Sequence, residues 1–169
     1  LAEEMRVQDQ VDIIIGTLGK SLASMGAYVL SDSSTVIDFL INRSGEYIYS
    51  TFLSPSQVGS AEAAVLLLQS SQNSRDYLQK VSANFRVKLG LAEQELMTPS
   101  SSIVPVLIGD PVKTLELRND LLQKGILLGA VRPPTVPPDT SRVRISLHTG
   151  VTQEYLEELG EILKPWIIS

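Results

Sequence analysis

Hydrophobic and polar positions alternate in short blocks over the first part of the chain and in longer ones afterwards. The β-branched run Asp12-Ile13-Ile14-Ile15-Gly16 stops abruptly at glycine and threonine, which predicts a buried strand. Ala27-Tyr28-Val29-Leu30 predicts a second buried strand, and Ser33-Ser34-Thr35 offers N-cap hydroxyls for a helix through about Asn42. Tyr47-Ile48-Tyr49-Ser50-Thr51 reads as a third strand, ending in two hydroxyls before a turn at Pro55. From Ser56 a long helix follows, whose alanines and Val65-Leu66-Leu67-Leu68 imply deep packing.

The character changes between Ser70 and Arg75, where a polar stretch interrupts the helical pattern. Tyr77, Leu78, Val81, Phe85, Val87 and Leu91 then recur at helical spacing. After the polar stretch Thr98–Ser102, the run Ile103–Ile108 predicts a strand, which Pro105 confines to a sheet edge or a bulge. Lys113 to Lys124 forms an amphipathic helix with Leu115, Leu117, Leu121 and Leu122 inward and Gly125 as its stop. Strands at Ile126–Val131 and Arg142–Leu147 flank a proline-rich loop, and a last helix runs from about Thr152 to Leu163. Residues 1–75 thus read as β-α-β, the tail of an α/β domain, and residues 76–169 as a small α+β domain in the order helix-β-α-β-β-α.

Composition narrows the chemistry. The 169 residues are 43% hydrophobic and 20% charged, as in an ordinary globular protein. No apolar run approaches the roughly 20 residues of a membrane span, and nothing at the start resembles an export signal; a cytoplasmic location is expected. There is no cysteine and a single histidine, His148, which excludes disulfides, thiolate catalysis and histidine- or cysteine-rich metal centres. A net charge of −5 gives no field for nucleic acid. Demanding chemistry must then use lysine, arginine, hydroxyls and carboxylates, or a borrowed cofactor. The chain begins with Leu1, as expected of a piece of something longer.

Two stretches carry chemical information. In Thr17-Leu-Gly-Lys-Ser-Leu-Ala-Ser-Met-Gly26, Lys20 follows a strand and is ringed by small and hydroxyl residues. Gly-Lys-Ser also looks like the end of a phosphate-binding P-loop. That loop needs four residues before its Gly-Lys pair, and only Thr17 and Leu18 separate Gly16 from Gly19. A lysine merely exposed after a strand is the plainer alternative. In Arg132-Pro-Pro-Thr-Val-Pro-Pro-Asp-Thr-Ser-Arg-Val-Arg-Ile145, four prolines stiffen the backbone. Such a loop can hold Arg132 for a two-pronged grip on a carboxylate, or it can be a stiff connector with solvated arginines.

The lysine decapeptide resembles the signature of the class-II pyridoxal-phosphate aminotransferase group. With Tyr49-Ser50-Thr51 and the Arg132 loop in the same order and at similar spacing, nearly the whole chain resembles the α-oxoamine synthases. The resemblance implies an α/β fold-type I PLP-dependent transferase, normally a homodimer with active sites at the subunit interface. It implies that Lys20 carries pyridoxal 5'-phosphate as a Schiff base and moves the α-proton, and that Thr17 hydrogen-bonds the cofactor phosphate. Ser50 and Thr51 would reach the phosphate of the neighbouring subunit. Arg132 would grip the amino-acid carboxylate, and Thr135 would line the substrate pocket. The Arg-Pro-Pro form favours the branch that condenses L-alanine with a pimeloyl-type acyl-CoA in biotin synthesis, with loss of carbon dioxide and coenzyme A. Glycine- or serine-using relatives are the alternative.

Departures from the pattern set further expectations. Leu22, Ala23, Ser24 and Met25 fill a turn where the family carries more glycine. His148 lies three residues before the place of a family histidine, now Val151, and reads as a structural residue. The carboxylate that pairs with the pyridine nitrogen and the histidine that stacks on the ring lie upstream of the lysine in this family. Asp9 and Asp12 are too close to the loop to supply that carboxylate. The chain alone is therefore expected to be an incomplete enzyme, or a scaffold that needs a partner chain.

Overall fold

A computed structural model describes residues 2–91 and 101–167, and the chain divides into two units, Leu1–Ser71 and Gln72–Ser169. Residues 98–100 of the polar stretch Thr98–Ser102 lie outside the described residues.

The first unit opens with α1 (Ala2–Met5) and a 3-10 turn at Gln8–Gln10. Strands β1 (Ile14–Thr17) and β2 (Ala27–Leu30) then pair antiparallel, Ile14 opposite Leu30 and Thr17 opposite Ala27. Helix α2 (Ser34–Arg43) starts where Ser33 accepts the Val36 amide, as the hydroxyl cluster predicts. Helix α4 (Pro55–Gln69) follows the short α3 (Gly45–Ile48) and begins at a reciprocal capping box between Ser54 and Gln57, with Pro55 in its first turn.

Three expectations for this unit are corrected. Both strands are exposed rather than buried, Ile15 at 74% and Leu30 at 55%, because among the described residues they pair only with each other. The expected third strand is instead α3 followed by a bend: the Ile48 amide bonds the Ser44 carbonyl at 3.0 Å and the Tyr49 amide the Gly45 carbonyl at 2.9 Å, and among the described residues Tyr47-Ile48-Tyr49 pairs with neither β1 nor β2, the pairing on which β-propensity depends. Val65 to Leu68 on α4 are likewise exposed, not deeply packed.

The second unit follows the predicted order. Helix α5 (Gln72–Lys88) is succeeded by β3 (Ile103–Gly109), α6 (Pro111–Gln123), β4 (Gly129–Val131), β5 (Ser141–Ser146) and α7 (Gln153–Leu163). The sheet order is β3-β5-β4, all antiparallel, so Pro105 sits on an edge strand as predicted, with a register shift beyond Leu107. Val104 and Val106 face Ile145 and Val143 across the β3–β5 pair, and all four are buried. Leu117 and Leu121 of α6, Leu156, Leu159 and Leu163 of α7, and Phe85 of α5 close over them. Leu122 is exposed rather than inward, and β4 occupies only the end of the predicted Ile126–Val131 strand. Ile126 is used to stop α6, its amide bonding the Leu121 carbonyl past Gly125, whose φ is 81°.

The buried Arg86 ties α5 to the start of β3. It donates to the Ser101 and Ile103 carbonyls at 2.6 and 2.9 Å, and desolvation lowers its pKa from the usual guanidinium value.

Candidate functional site

Lys20 lies in the connection between β1 and β2, residues 18–26. The chain passes from strand to strand there, not from strand to helix, so the helix N-terminus on which a P-loop depends does not follow it. The loop is closed from within. The Leu18 amide donates to the Gly26 carbonyl at 2.9 Å, the Ser24 amide to the Leu18 carbonyl at 3.0 Å, and the Ala23 amide to the Lys20 carbonyl at 3.0 Å. Ala23 takes a positive φ of 48°, which lets the turn tighten in the place where more glycine was expected.

Thr17 and Lys20 are brought together in this loop. The Thr17 hydroxyl accepts the Gly19 amide at 3.2 Å, which leaves its own proton free to donate to an anion. Lys20 is exposed, and its ammonium has no hydrogen bond or ion pair among the described residues. A cation and a hydroxyl donor on one closed turn fit an aldehyde-bearing, phosphorylated group: the amine can attack the carbonyl, and the hydroxyl can hold the phosphate.

Ser50 and Thr51 follow α3, both exposed. Ser50 donates its hydroxyl proton to the Glu46 carbonyl, whereas the Thr51 hydroxyl has no partner among the described residues. Arg132 and Thr135 belong to the second unit and share one turn, the Thr135 amide donating to the Arg132 carbonyl at 3.0 Å. Arg132 stands immediately after β4, exposed, its guanidinium without a hydrogen bond or ion pair among the described residues. The turn is braced further on, where the Thr140 hydroxyl donates to the Pro137 carbonyl at 2.8 Å and Arg142 Nε to the Thr140 carbonyl at 2.9 Å. His148 is exposed at the end of β5, its Nδ1 accepting the Gly150 amide at 3.1 Å, a local structural bond. Among the described residues no cluster of acidic or histidine side chains could hold a metal, and no helix is long and apolar enough to cross a membrane.

Tyr28 has a contact that its strand pattern does not reveal. Its ring lies across Gly16, directly opposite in the β1–β2 pair; a Cβ at Gly16 would meet Tyr28 Cζ at 2.2 Å. An isolated glycine inside a strand signals such a close approach, and Gly16 was that signal.

The class I and II aminotransferase family model matches residues 2–163. An 8-amino-7-oxononanoate synthase from Cellvibrio japonicus is 40% identical over 163 residues, covering 92% of this chain and 40% of that protein. The protein of the same name from Thioalkalivibrio sulfidiphilus is 36% identical over 156 residues, covering 92% of this chain and 40% of the relative. This chain thus spans about 40% of the length of the curated relatives it matches. Among solved structures, serine palmitoyltransferase of Sphingomonas wittichii superposes with a TM-score of 0.86 at 25% identity, over 97% of this chain and 41% of that one. An 8-amino-7-oxononanoate synthase of Francisella tularensis gives 0.78 at 25% identity, over 90% and 44%. The α/β fold expected from the sequence is the fold these enzymes share.

Proposed function

The chain belongs to the class I and II aminotransferase family, and from that footing we propose that it is the lysine-bearing, carboxy-terminal part of a pyridoxal-phosphate-dependent 8-amino-7-oxononanoate synthase. The whole protein would condense L-alanine with a pimeloyl-type acyl-CoA, releasing carbon dioxide and coenzyme A, in biotin synthesis. The observation that carries this reading is the closed turn that holds both Lys20, whose ammonium has no hydrogen bond or ion pair among the described residues, and Thr17, whose hydroxyl accepts the Gly19 amide and keeps its own proton to donate. The curated relatives at 36–40% identity support the choice of enzyme.

When bound, the cofactor would supply an electron sink for the charge left on the amino-acid α-carbon. Lys20 would hold the cofactor covalently and carry the proton at its Nζ. Thr17 would donate its hydroxyl to the cofactor phosphate, with Ser50 and Thr51 serving the phosphate of a neighbouring subunit. Arg132 would orient the amino acid by its carboxylate, using the planar two-donor fork that a lysine lacks. Thr135, on the same turn, would line the pocket. A second reading, a serine-using synthase of the same family, draws on the higher superposition score of serine palmitoyltransferase. Comparing turnover of L-alanine and L-serine with acyl-CoA donors separates the two.

Borohydride reduction of the whole protein with bound cofactor is expected to fix the label on the peptide carrying Lys20, and Lys20→Ala is expected to abolish turnover. A label on any other lysine would sink the assignment.

A further inference from the structure

Three consecutive residues at the far end of the lysine loop are fastened at the start of α4, two to Gln57 in its first turn and one to Leu53, just before its Ser54 cap. The Ser24 hydroxyl donates to the Gln57 carbonyl at 2.7 Å. Gln57 Nε2 donates to Met25 Sδ at 3.2 Å. Gly26, with φ 94°, lies so close to Leu53 that a Cβ there would meet Leu53 Cδ1 at 2.8 Å. Gln57 is also half of the α4 capping box: its Oε1 accepts the Ser54 amide at 2.9 Å and its own amide donates to Ser54 Oγ. One residue therefore sets where the helix begins and where the loop ends.

Taking Lys20 as the cofactor lysine, we infer that Ser24, Gly26, Leu53 and Gln57 form a latch that positions it, a role no motif in the sequence assigns. The physical argument is one of constraint. A surface loop of this length samples many conformations unless its own residues are tied down. Here Leu18 is held at one end by continuity with β1 and by bonding to Gly26 and Ser24; at the other end Ser24 is held by Gln57 of α4 and Gly26 by Leu53, just before that helix. Lys20 lies between Leu18 and Ser24, so the position of its Cα is set by the latch although its side chain makes no hydrogen bond or ion pair among the described residues. An amine held in reach of a bound aldehyde does not repeat the ordering cost at each encounter.

The latch predicts an effect on Lys20 that a merely stabilising contact would not have. The whole protein is compared with Ser24→Ala, which removes the hydroxyl, and Ser24→Thr, which restores it. Two quantities are measured: amide hydrogen exchange at Leu18 and Ser24, and the rate at which Lys20 captures pyridoxal phosphate into a borohydride-stable form. Ser24→Ala is expected to speed exchange at both amides and to slow capture, each roughly two- to tenfold for one lost hydrogen bond, while β3 amides are unchanged. Ser24→Thr is expected to restore both. Should Ser24→Ala fail to fold, Met25→Leu removes the sulfur that accepts from Gln57 without adding charge and leaves the capping box intact, and the same pair of measurements applies. Unchanged exchange, or faster exchange with unchanged capture, overturns the positioning role. A wild-type label on a different lysine overturns instead the cofactor assignment on which the latch is built, and the exchange data stand apart from it.

Discussion

Around the proline-rich turn, the arginines are used differently. Arg142 spends its Nε on the Thr140 carbonyl, whereas Arg132 keeps all its donors available among the described residues. A guanidinium held by a braced turn and left unsatisfied is suited to a carboxylate. Arg132→Lys keeps the charge and loses the fork. It is expected to weaken amino-acid binding by on the order of 1.5–3 kcal/mol, the range for hydrogen bonds to charged groups, with thermal stability unchanged because the prolines still set the turn. Titrating the cofactor-loaded whole protein with L-alanine and following its absorbance measures this; an unaltered affinity would leave Arg132 as a solvated edge residue. At this scale the sequence was legible where the chemistry is local. Thr17 and Lys20 lie on one turn, and so do Arg132 and Thr135. The Ser24–Gln57 bond joins residues 33 apart and follows no periodicity, so nothing short of the fold reveals it.

Among the elements, the contrast is between those with a core to obey and those without one. Every helix and strand predicted for the second unit exists in the predicted order, because β3, β5, α6 and α7 bury their apolar positions against one another and burial enforces the pattern. The N-caps reinforce it: Asp110 accepts the Val112 and Lys113 amides, and Thr152 accepts the Tyr155 amide. In the first unit the apolar runs at Ile13–Ile15 and Val65–Leu68 predicted buried elements, yet the described residues leave them exposed. The residue types were read correctly there; their burial needs a covering layer that periodicity cannot count. Tyr47 to Thr51 failed for a related reason, since a strand is stabilised by the edge it joins and a helical turn closes on itself. Native-state hydrogen exchange on the 169-residue chain is expected to show the difference directly. Amides of β3 and β5 should exchange slowest, through global opening, and those of β1 and β2 orders of magnitude faster. Equal protection of both sheets would mean that the hairpin is held by more than its own pairing.

For the whole molecule, the exposed apolar side chains concentrate in the first unit, including Ile15, Phe39, Tyr49, Phe52 and Leu67. Exposed apolar side chains in such number are what association with further protein covers. The proposed homodimer makes a specific demand on that surface, because Ser50 and Thr51 are assigned to the phosphate of a neighbouring subunit. The two hydroxyls are not equivalent. Ser50 already donates its proton to the Glu46 carbonyl and must turn away to serve a phosphate, giving up one bond to make another. Thr51 has nothing to give up among the described residues. Thr51→Ala in the whole protein is therefore expected to cost roughly ten- to hundredfold in cofactor affinity, and Ser50→Ala distinctly less. Diluting the dimer until it dissociates should produce a loss at least as large as that of Thr51→Ala, since both hydroxyls leave together. A monomer that binds cofactor as tightly as the dimer would remove both residues from the phosphate site and leave Thr17 as its only hydroxyl among those assigned to it.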